Sequence, residues 1–281
     1  MKKIIIAVMM AVAALNAAGQ NNVSGENADT TQTKRKGYSR IDIAAGGGLQ
    51  SLQYNPANGD QTPGAGWNAE VGYKYFFKNG VGIGAGIGVA YYTAQSKYTK
   101  MDAMAMYDSE NSMDYEMRTY YNGVKEKQGM YQIEVPIGAY YETADKKGWA
   151  FQCGGGFKFG FPVSGKYEYT DGTIETTAYY DATGVEYKNL PQHGLLSKNA
   201  DGESDVDFSA FNVGLFVDLG ATYKLTDMLG LYMGGYANFG FIDIGGDKEK
   251  GVYRGILGTD GRGSVNTLSA GVKIGLNINV E

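Results

Sequence analysis

Residues 67–77 read Trp67-Asn68-Ala69-Glu70-Val71-Gly72-Tyr73-Lys74-Tyr75-Phe76-Phe77. Trp67, Ala69, Val71, Tyr73, Tyr75 and Phe77 share one parity, and Asn68, Glu70, Gly72 and Lys74 share the other. Successive side chains of a strand point to opposite faces, so one apolar and one polar parity describe a half-buried β-strand. The apolar parity starts and ends on an aromatic ring, ten residues apart. At about 3.3 Å per residue and a tilt of about 40°, that interval climbs roughly 25 Å, the height of a lipid-facing band between two aromatic girdles.

The same pattern repeats outward from this stretch. Alternating segments fall near 38–53, 66–77, 81–96, 130–143, 148–166, 207–225, 229–244 and 264–280. The ten-residue aromatic interval recurs as Tyr131 to Tyr141 and as Phe151 to Phe161. Short turns at 78–80, 144–147 and 226–228 alternate with longer connections at 54–65, 97–129, 167–206 and 245–263. Unequal rims of this kind are the layout of a membrane barrel. The expectation is an all-β, eight-stranded, antiparallel up-and-down transmembrane β-barrel. A soluble lipocalin-like barrel would use the same alternation with the apolar parity turned inward. The unequal rims, the aromatic interval and the N-terminus favour the membrane arrangement.

The N-terminus has the plan of a secretory signal. Lys2 and Lys3 precede an apolar run over 4–15, followed by Ala17, Ala18 and Gly19. The run is too short to span a bilayer as a helix, and cleavage is expected after Gly19. A domain plan follows: signal peptide 1–19, flexible periplasmic leader 20–37, barrel 38–281, with both barrel termini on the periplasmic side. The formal charge of −5 becomes −7 once Lys2 and Lys3 are removed. No basic stripe exists to neutralise phosphates, which excludes a nucleic-acid partner. Cys153 is the only cysteine, so no intramolecular disulfide can form.

The stretch Tyr131-Gln132-Ile133-Glu134-Val135-Pro136-Ile137 resembles the OmpA-type eight-stranded outer-membrane barrels of Gram-negative bacteria, in which an Ile-Glu-Val/Ile-Pro core recurs in a central strand. The resemblance covers about 38–281 and marks the fold rather than an activity. It implies residence in the outer membrane. The chain departs from the pattern in ending Asn279-Val280-Glu281 rather than on an aromatic, and no peptidoglycan-binding domain is expected after the last strand. Pro136 cannot donate to a ladder, so a bulge or a non-bonded position is expected there.

Inward-pointing charges are the first candidate site. Counted from the periplasmic aromatics, Glu70, Glu134, Lys158, Asp218 and Lys273 fall near mid-height. They would form either a selectivity ring or an interlocked polar core. Eight strands leave room for little more than side chains, which favours the core. The count predicts a direct Glu134–Lys158 ion pair, with Asp218 competing for Lys158 and with Lys273 and Glu70 at a similar height. Inward Gly82, Gly84, Gly86 and Gly88 would leave small pockets of water. The outward girdle comprises Trp67, Phe77, Tyr131, Tyr141, Phe151 and Phe161.

The long connections are the second candidate. Six methionines (Met101, Met104, Met106, Met113, Met117, Met130) and five tyrosines lie between 98 and 130. The favoured reading is a strand hairpin continued above the membrane; a binding patch is the other, and the two can coexist. Over 166–207, nine carboxylates face three lysines, which would repel anionic partners and offers oxygen ligands for weak Ca²⁺ binding. His193, the only histidine, lies in Pro191-Gln192-His193-Gly194 with no matching catalytic pattern around it. A lone histidine also makes a His-rich metal site impossible. No catalytic residue, metal ligand or cofactor is assigned. The expected function is a non-enzymatic barrel, structural or surface-interacting through long extracellular loops, with a narrow solute pore as the alternative and a lipid- or peptide-modifying enzyme as a weaker one. Partners would be outer-membrane lipid and an extracellular protein or glycan contacting 97–129 and 167–206, with the barrel itself a monomer.

Overall fold

The computed structural model describes residues 37–280 apart from 57, 144, 146, 210, 246–255 and 259–262. The expected signal peptide and nearly all of the leader lie outside the described residues. The strands are β1 (Tyr38–Gln53), β2 (Gly59–Pro63), β3 (Ala65–Phe76), β4 (Val81–Asp108), β5 (Met113–Glu142), β6 (Trp149–Tyr180), β7 (Val185–Tyr187), β8 (Ser197–Asn199), β9 (Glu203–Asp205), β10 (Asn212–Lys224), β11 (Leu229–Gly240) and β12 (Asn266–Val280). Among the described residues eight of them close a ring in the order β1, β3, β4, β5, β6, β10, β11, β12. Every neighbouring pair around the ring is antiparallel, including the closing β12–β1 and β6–β10 pairs. Closure removes the free edges that an open sheet would expose to lipid.

The side-chain parities resolve the inside from the outside. Outward Ile87 and Val272 are 60% and 69% exposed, whereas inward Glu134 and Lys273 are 4% and 5% exposed. The apolar parity faces out and the charged parity faces in, the reverse of a soluble barrel.

Three strands overrun the barrel. β4, β5 and β6 have 28, 30 and 32 residues, against about ten for a membrane crossing. The β4–β5 ladder runs to Asp108↔Met113, with one extra residue on β5 near Tyr98. The segment 97–129 is therefore a continued hairpin, not an irregular loop. The 167–206 connection is likewise built onto the sheet: β7, β8 and β9 pair back along β6. Two expected strands are shorter than their alternation indicated. β10 begins at Asn212 and β11 ends at Gly240, because the chain before and after them turns inward. Ile244 is fully buried, its N–H donates to the Val265 carbonyl, and the Ser209 N–H donates to Ile244.

Pro136 occupies a non-bonded position without a bulge. The β4–β5 ladder skips from Ala85↔Ile137 to Gly88↔Glu134 with no change of register. Opposite lies Gly86, where an added Cβ would come within 2.8 Å of the Val71 carbonyl oxygen and 3.5 Å of the Pro136 ring. The missing donor and the missing side chain thus share one gap in the wall.

Candidate functional site: the barrel interior and the long-loop sheet

Three tiers fill the space inside the ring. The first lies at the short-turn end. Arg40, 2% exposed, is paired to Asp42 at 2.7 Å and also binds Glu142 and Gln152, while Tyr38 donates to Glu142. Lys74 reaches the other Asp42 oxygen at 2.6 Å. Arg40 lies over the Phe76 ring at 4.7 Å and Lys74 over Tyr140 at 4.1 Å. The sequence count, confined to mid-height, missed this tier. The signal was present, since Arg40, Asp42, Lys74 and Glu142 all lie on the inward parity of their strands.

The second tier holds the five charges expected at mid-height. Lys158 Nζ is 2.8 Å from Glu134 Oε2. The other Glu134 oxygen accepts from the Tyr92 hydroxyl at 2.7 Å and the Gln132 amide at 3.2 Å. Glu134 is not opposite Lys158 in the ladder; it faces Gly160, and Lys158 faces Pro136. The pair is diagonal, within reach of long side chains on neighbouring strands. Asp218 does not compete for Lys158. It binds Lys273 at 3.1 Å, and Lys273 also binds Glu70 at 2.8 Å. Four cations thus face five carboxylates across the two tiers, each within 4 Å of an opposite charge.

The glycines of β4 do not leave water pockets. An added Cβ would meet Phe76 at Gly82, Lys74 at Gly84 and Glu70 at Gly88, all within 3.0 Å. Their missing side chains are space already taken by larger neighbours. Gly154 shows the same close approach, its notional Cβ lying 2.3 Å from the Tyr140 ring.

The third tier is apolar and lies at the long-loop end. Leu52, Tyr92, Tyr98, Val124 and Met130 of the ring strands pack with Tyr54, Ala200, Ile244, Ile256, Leu257 and Val265 of the connections. Buried Glu126 ties this tier together, accepting from Tyr98 at 3.1 Å, Gln128 at 2.8 Å and the backbone N–H of Ile256 at 2.9 Å.

On the outer surface the girdle residues Trp67, Phe77, Tyr131, Tyr141, Phe151 and Phe161 are all between 40% and 65% exposed. They belong to two belts with members not singled out from sequence. Tyr91 lies 4.6 Å from Tyr131, Phe211 lies 5.6 Å from Phe161, and Trp149 lies 4.9 Å from Tyr223. Cys153 is half-buried and sits beside outward Tyr141 in the ladder. His193 is exposed in a single 3₁₀ turn.

The sheet beyond the belts has two unlike faces. On the face continuous with the lipid-facing side, two cations far from the barrel are held. Arg118 pairs with Glu116 at 2.8 Å and lies 3.7 Å over the Tyr179 ring. Lys188 pairs with Glu186 at 3.3 Å, and Glu186 also accepts from Thr177 and Tyr120. The face continuous with the barrel interior carries Met104, Met106, Tyr115, Met117, Tyr180 and Tyr187. Near its tip Asp108 accepts from Asn111 at 2.9 Å and Tyr180 at 2.8 Å. These bonds, Asn111's first, hold the Asp108 carboxyl down to about 2. The same contact pushes the Tyr180 hydroxyl up to about 12. The carboxylates of 166–207 are spread along this sheet. Among the described residues no group of three or more His, Cys, Asp or Glu side chains converges on a metal-sized site.

A closed antiparallel ring with an apolar exterior, two aromatic belts and a charged, filled interior defines a transmembrane β-barrel. The chain belongs to the outer membrane protein beta-barrel domain family, whose model matches residues 27–245. The match stops short of β12, which nonetheless closes the ring between β11 and β1. Among solved structures, the chain is similar to Neisserial surface protein A at 12% identity, covering 86% of this chain and 96% of that one with a TM-score of 0.34. It is also similar to OprG of Pseudomonas aeruginosa at 11% identity, with 88% and 97% covered and a TM-score of 0.35. Ail of Yersinia pestis matches at 11% identity, with 88% and 100% covered and a TM-score of 0.31. No curated protein sequence matches the chain. The family rests on the matched model; the chain is an outer-membrane barrel.

Proposed function

We propose that this is a non-enzymatic surface-interacting protein, in which the barrel is an anchor and the sheet beyond it is the working part. The short turns and both termini of the barrel lie in the periplasm, and the β4–β5–β6 sheet stands outside the cell. The observation that carries the reading is the contrast between the two halves of the same three strands. Within the bilayer they enclose charges already paired and rings already packed. Beyond it they remain ordered for ten residues or more, as 98–108 of β4 illustrates. An ordered, exposed sheet has no role in filling a barrel, whereas binding surfaces are commonly carried on connections held by a rigid scaffold. The filled interior also argues against the solute-pore alternative. The test compares cells displaying the intact protein with cells displaying a form in which 99–122 is replaced by a tight turn. Adhesion to protein-coated surfaces should be lost with the hairpin. Equal adhesion by the two forms would overturn the reading.

A further inference from the structure

The two faces of the external sheet differ in what they leave unsatisfied. Over 100–118 and 174–188 the sheet carries eight carboxylates and three cations. All three cations are engaged: Lys100 with Asp102 at 2.9 Å, Arg118 with Glu116 at 2.8 Å and Lys188 with Glu186 at 3.3 Å. On the face continuous with the lipid-facing side, two rings are covered by the protein's own charges, Arg118 over Tyr179 and Lys188 over Tyr120, while Tyr107 stays 62% exposed.

On the interior-continuous face Lys100 lies over the Tyr121 ring at 4.6 Å near the barrel, and the cluster farther out is built from rings and methionines. By alternation from inward Tyr98, this face presents Met104 and Met106 on β4, Tyr115 and Met117 on β5, Tyr180 on β6 and Tyr187 on β7. Tyr180 stacks on Tyr115 at 5.2 Å and meets Tyr187 edge-on at 5.5 Å. The Tyr180 hydroxyl is fixed by Asp108 at 2.8 Å. These rings are therefore pre-ordered. Met104 and Tyr187 remain 51% and 47% exposed with the chain folded around them. Contiguous exposed apolar surface rimmed by polar residues marks an interaction site. Methionine adapts to irregular partners and tyrosine faces attract cations. Of the eight carboxylates, Asp102 and Asp108 lie on this face, Glu110 and Asp181 lie in the turns at its edge, and the other four lie on the opposite face. The net charge of the sheet is acidic, so an anionic partner is repelled and a cationic one is drawn in.

We propose that the Met/Tyr face of the external sheet docks a cationic, amphipathic segment of a partner polypeptide, its apolar side against Met104, Met117 and Tyr187 and its basic side chains against the Tyr115–Tyr180 rings and the exposed Glu110 and Asp181 of the turns at its edge. This rests on the surface-interacting reading above and adds the chemistry of the partner.

The test uses the full mature chain in zwitterionic lipid nanodiscs, with empty discs subtracted. The probes are a labelled Lys/Leu amphipathic peptide, a version with Leu replaced by Ser at the same charge, and one with Lys replaced by Glu. The Lys/Leu peptide is expected to bind at least tenfold tighter than either control, and to weaken as salt is raised. A Met104→Ser, Met117→Ser, Tyr187→Ser variant should lose at least tenfold. An Arg118→Ser variant, on the opposite face, should lose less than threefold. A difference in gel mobility between unheated and heated samples shows that each variant still forms its barrel. Equal binding by the Ser control peptide, or by the triple variant, overturns the proposal. If peptide binding fails while adhesion still depends on 99–122, the partner chemistry is wrong and the surface role stands.

Discussion

Lys273→Met should be the most damaging single substitution in the barrel interior. Lys273 is 5% exposed, and its Nζ lies 2.8 Å from Glu70 and 3.1 Å from Asp218. At an effective dielectric constant of about 20, contacts at these distances are worth about 5–6 kcal/mol each before desolvation. Burying each of the three charges costs several kcal/mol, so the intact triad contributes little net stability. Losing the cation is another matter. Two carboxylates would then share a buried site with no counter-charge, and removing one partner of a buried pair typically costs about 3–5 kcal/mol. The expected loss is at the upper end, about 5 kcal/mol, limited by protonation of one carboxyl. Lys158→Met strands one carboxylate, and Glu134 retains Tyr92 and Gln132 as donors. Its expected cost is at the lower end, about 3 kcal/mol.

The assay is reversible urea unfolding in lipid vesicles, read by tryptophan emission. The chain has two tryptophans. Trp67 and Trp149 are 44% and 48% exposed on the outer surface, so both report entry into lipid. A triple variant, Glu70→Met, Asp218→Leu and Lys273→Met, removes the charges together and should be nearly neutral. A Lys273→Met loss below about 1 kcal/mol would refute the reasoning, as would a triple variant no more stable than the single one, because either result means the site is not desolvated.

Three further outcomes follow from the same geometry. Gly154→Ala should cost about 1–3 kcal/mol by overpacking against Tyr140, and Tyr140→Ala in the same chain should relieve part of that, measured in the same unfolding assay. Reconstituted protein should show no large, steady conductance in planar bilayers; frequent porin-sized openings would mean that the interior tiers part. The hairpin tip should respond to acid in a defined window. Asp108 has its folded value depressed to about 2, so its contribution is complete above the ordinary carboxylate range and is lost as pH falls through about 2. Protease cleavage at the 109–112 turn should therefore stay slow at pH 4 in the native chain and be faster there in Asp108→Asn.

The barrel was legible because the bilayer imposes a period and a length together. Trp67 to Phe77 carries both: alternation sets the strand, and the ring-to-ring interval sets its height. The overrun of β4 and β5 was legible as a continued hairpin but not in its register, and that of β6 was not legible, for a physical reason. Above the belts both faces of the sheet meet water, so neither parity must be apolar. Lys100, Met101, Asp102, Ala103 and Met104 follow one another without a pattern, although the backbone is as regular as below. Pairing across the interior was legible by height but not by partner. Counting from Tyr141 and Phe151 brought Glu134 level with Lys158, while the two-residue offset in their ladder and the choice of Lys273 by Asp218 depend on the shear of the closed ring.

The same constraint explains where this chain can vary its chemistry. In the interior each charge has a partner fixed by the ring, and Gly84, Gly88 and Gly154 leave no volume for a larger side chain. A change there must be matched across two or three strands at once. Beyond the belts, the Met104–Met117–Ala178–Tyr187 row crosses four strands through antiparallel pairings alone. Its residues can change one at a time with the ladder intact, since backbone hydrogen bonds rather than side-chain interlock hold that part of the sheet. The binding chemistry of this barrel is therefore expected in the part of the strands that the barrel does not need. A scan of single substitutions should separate the two regions: unfolding midpoints should move with interior residues, and partner binding with the external face.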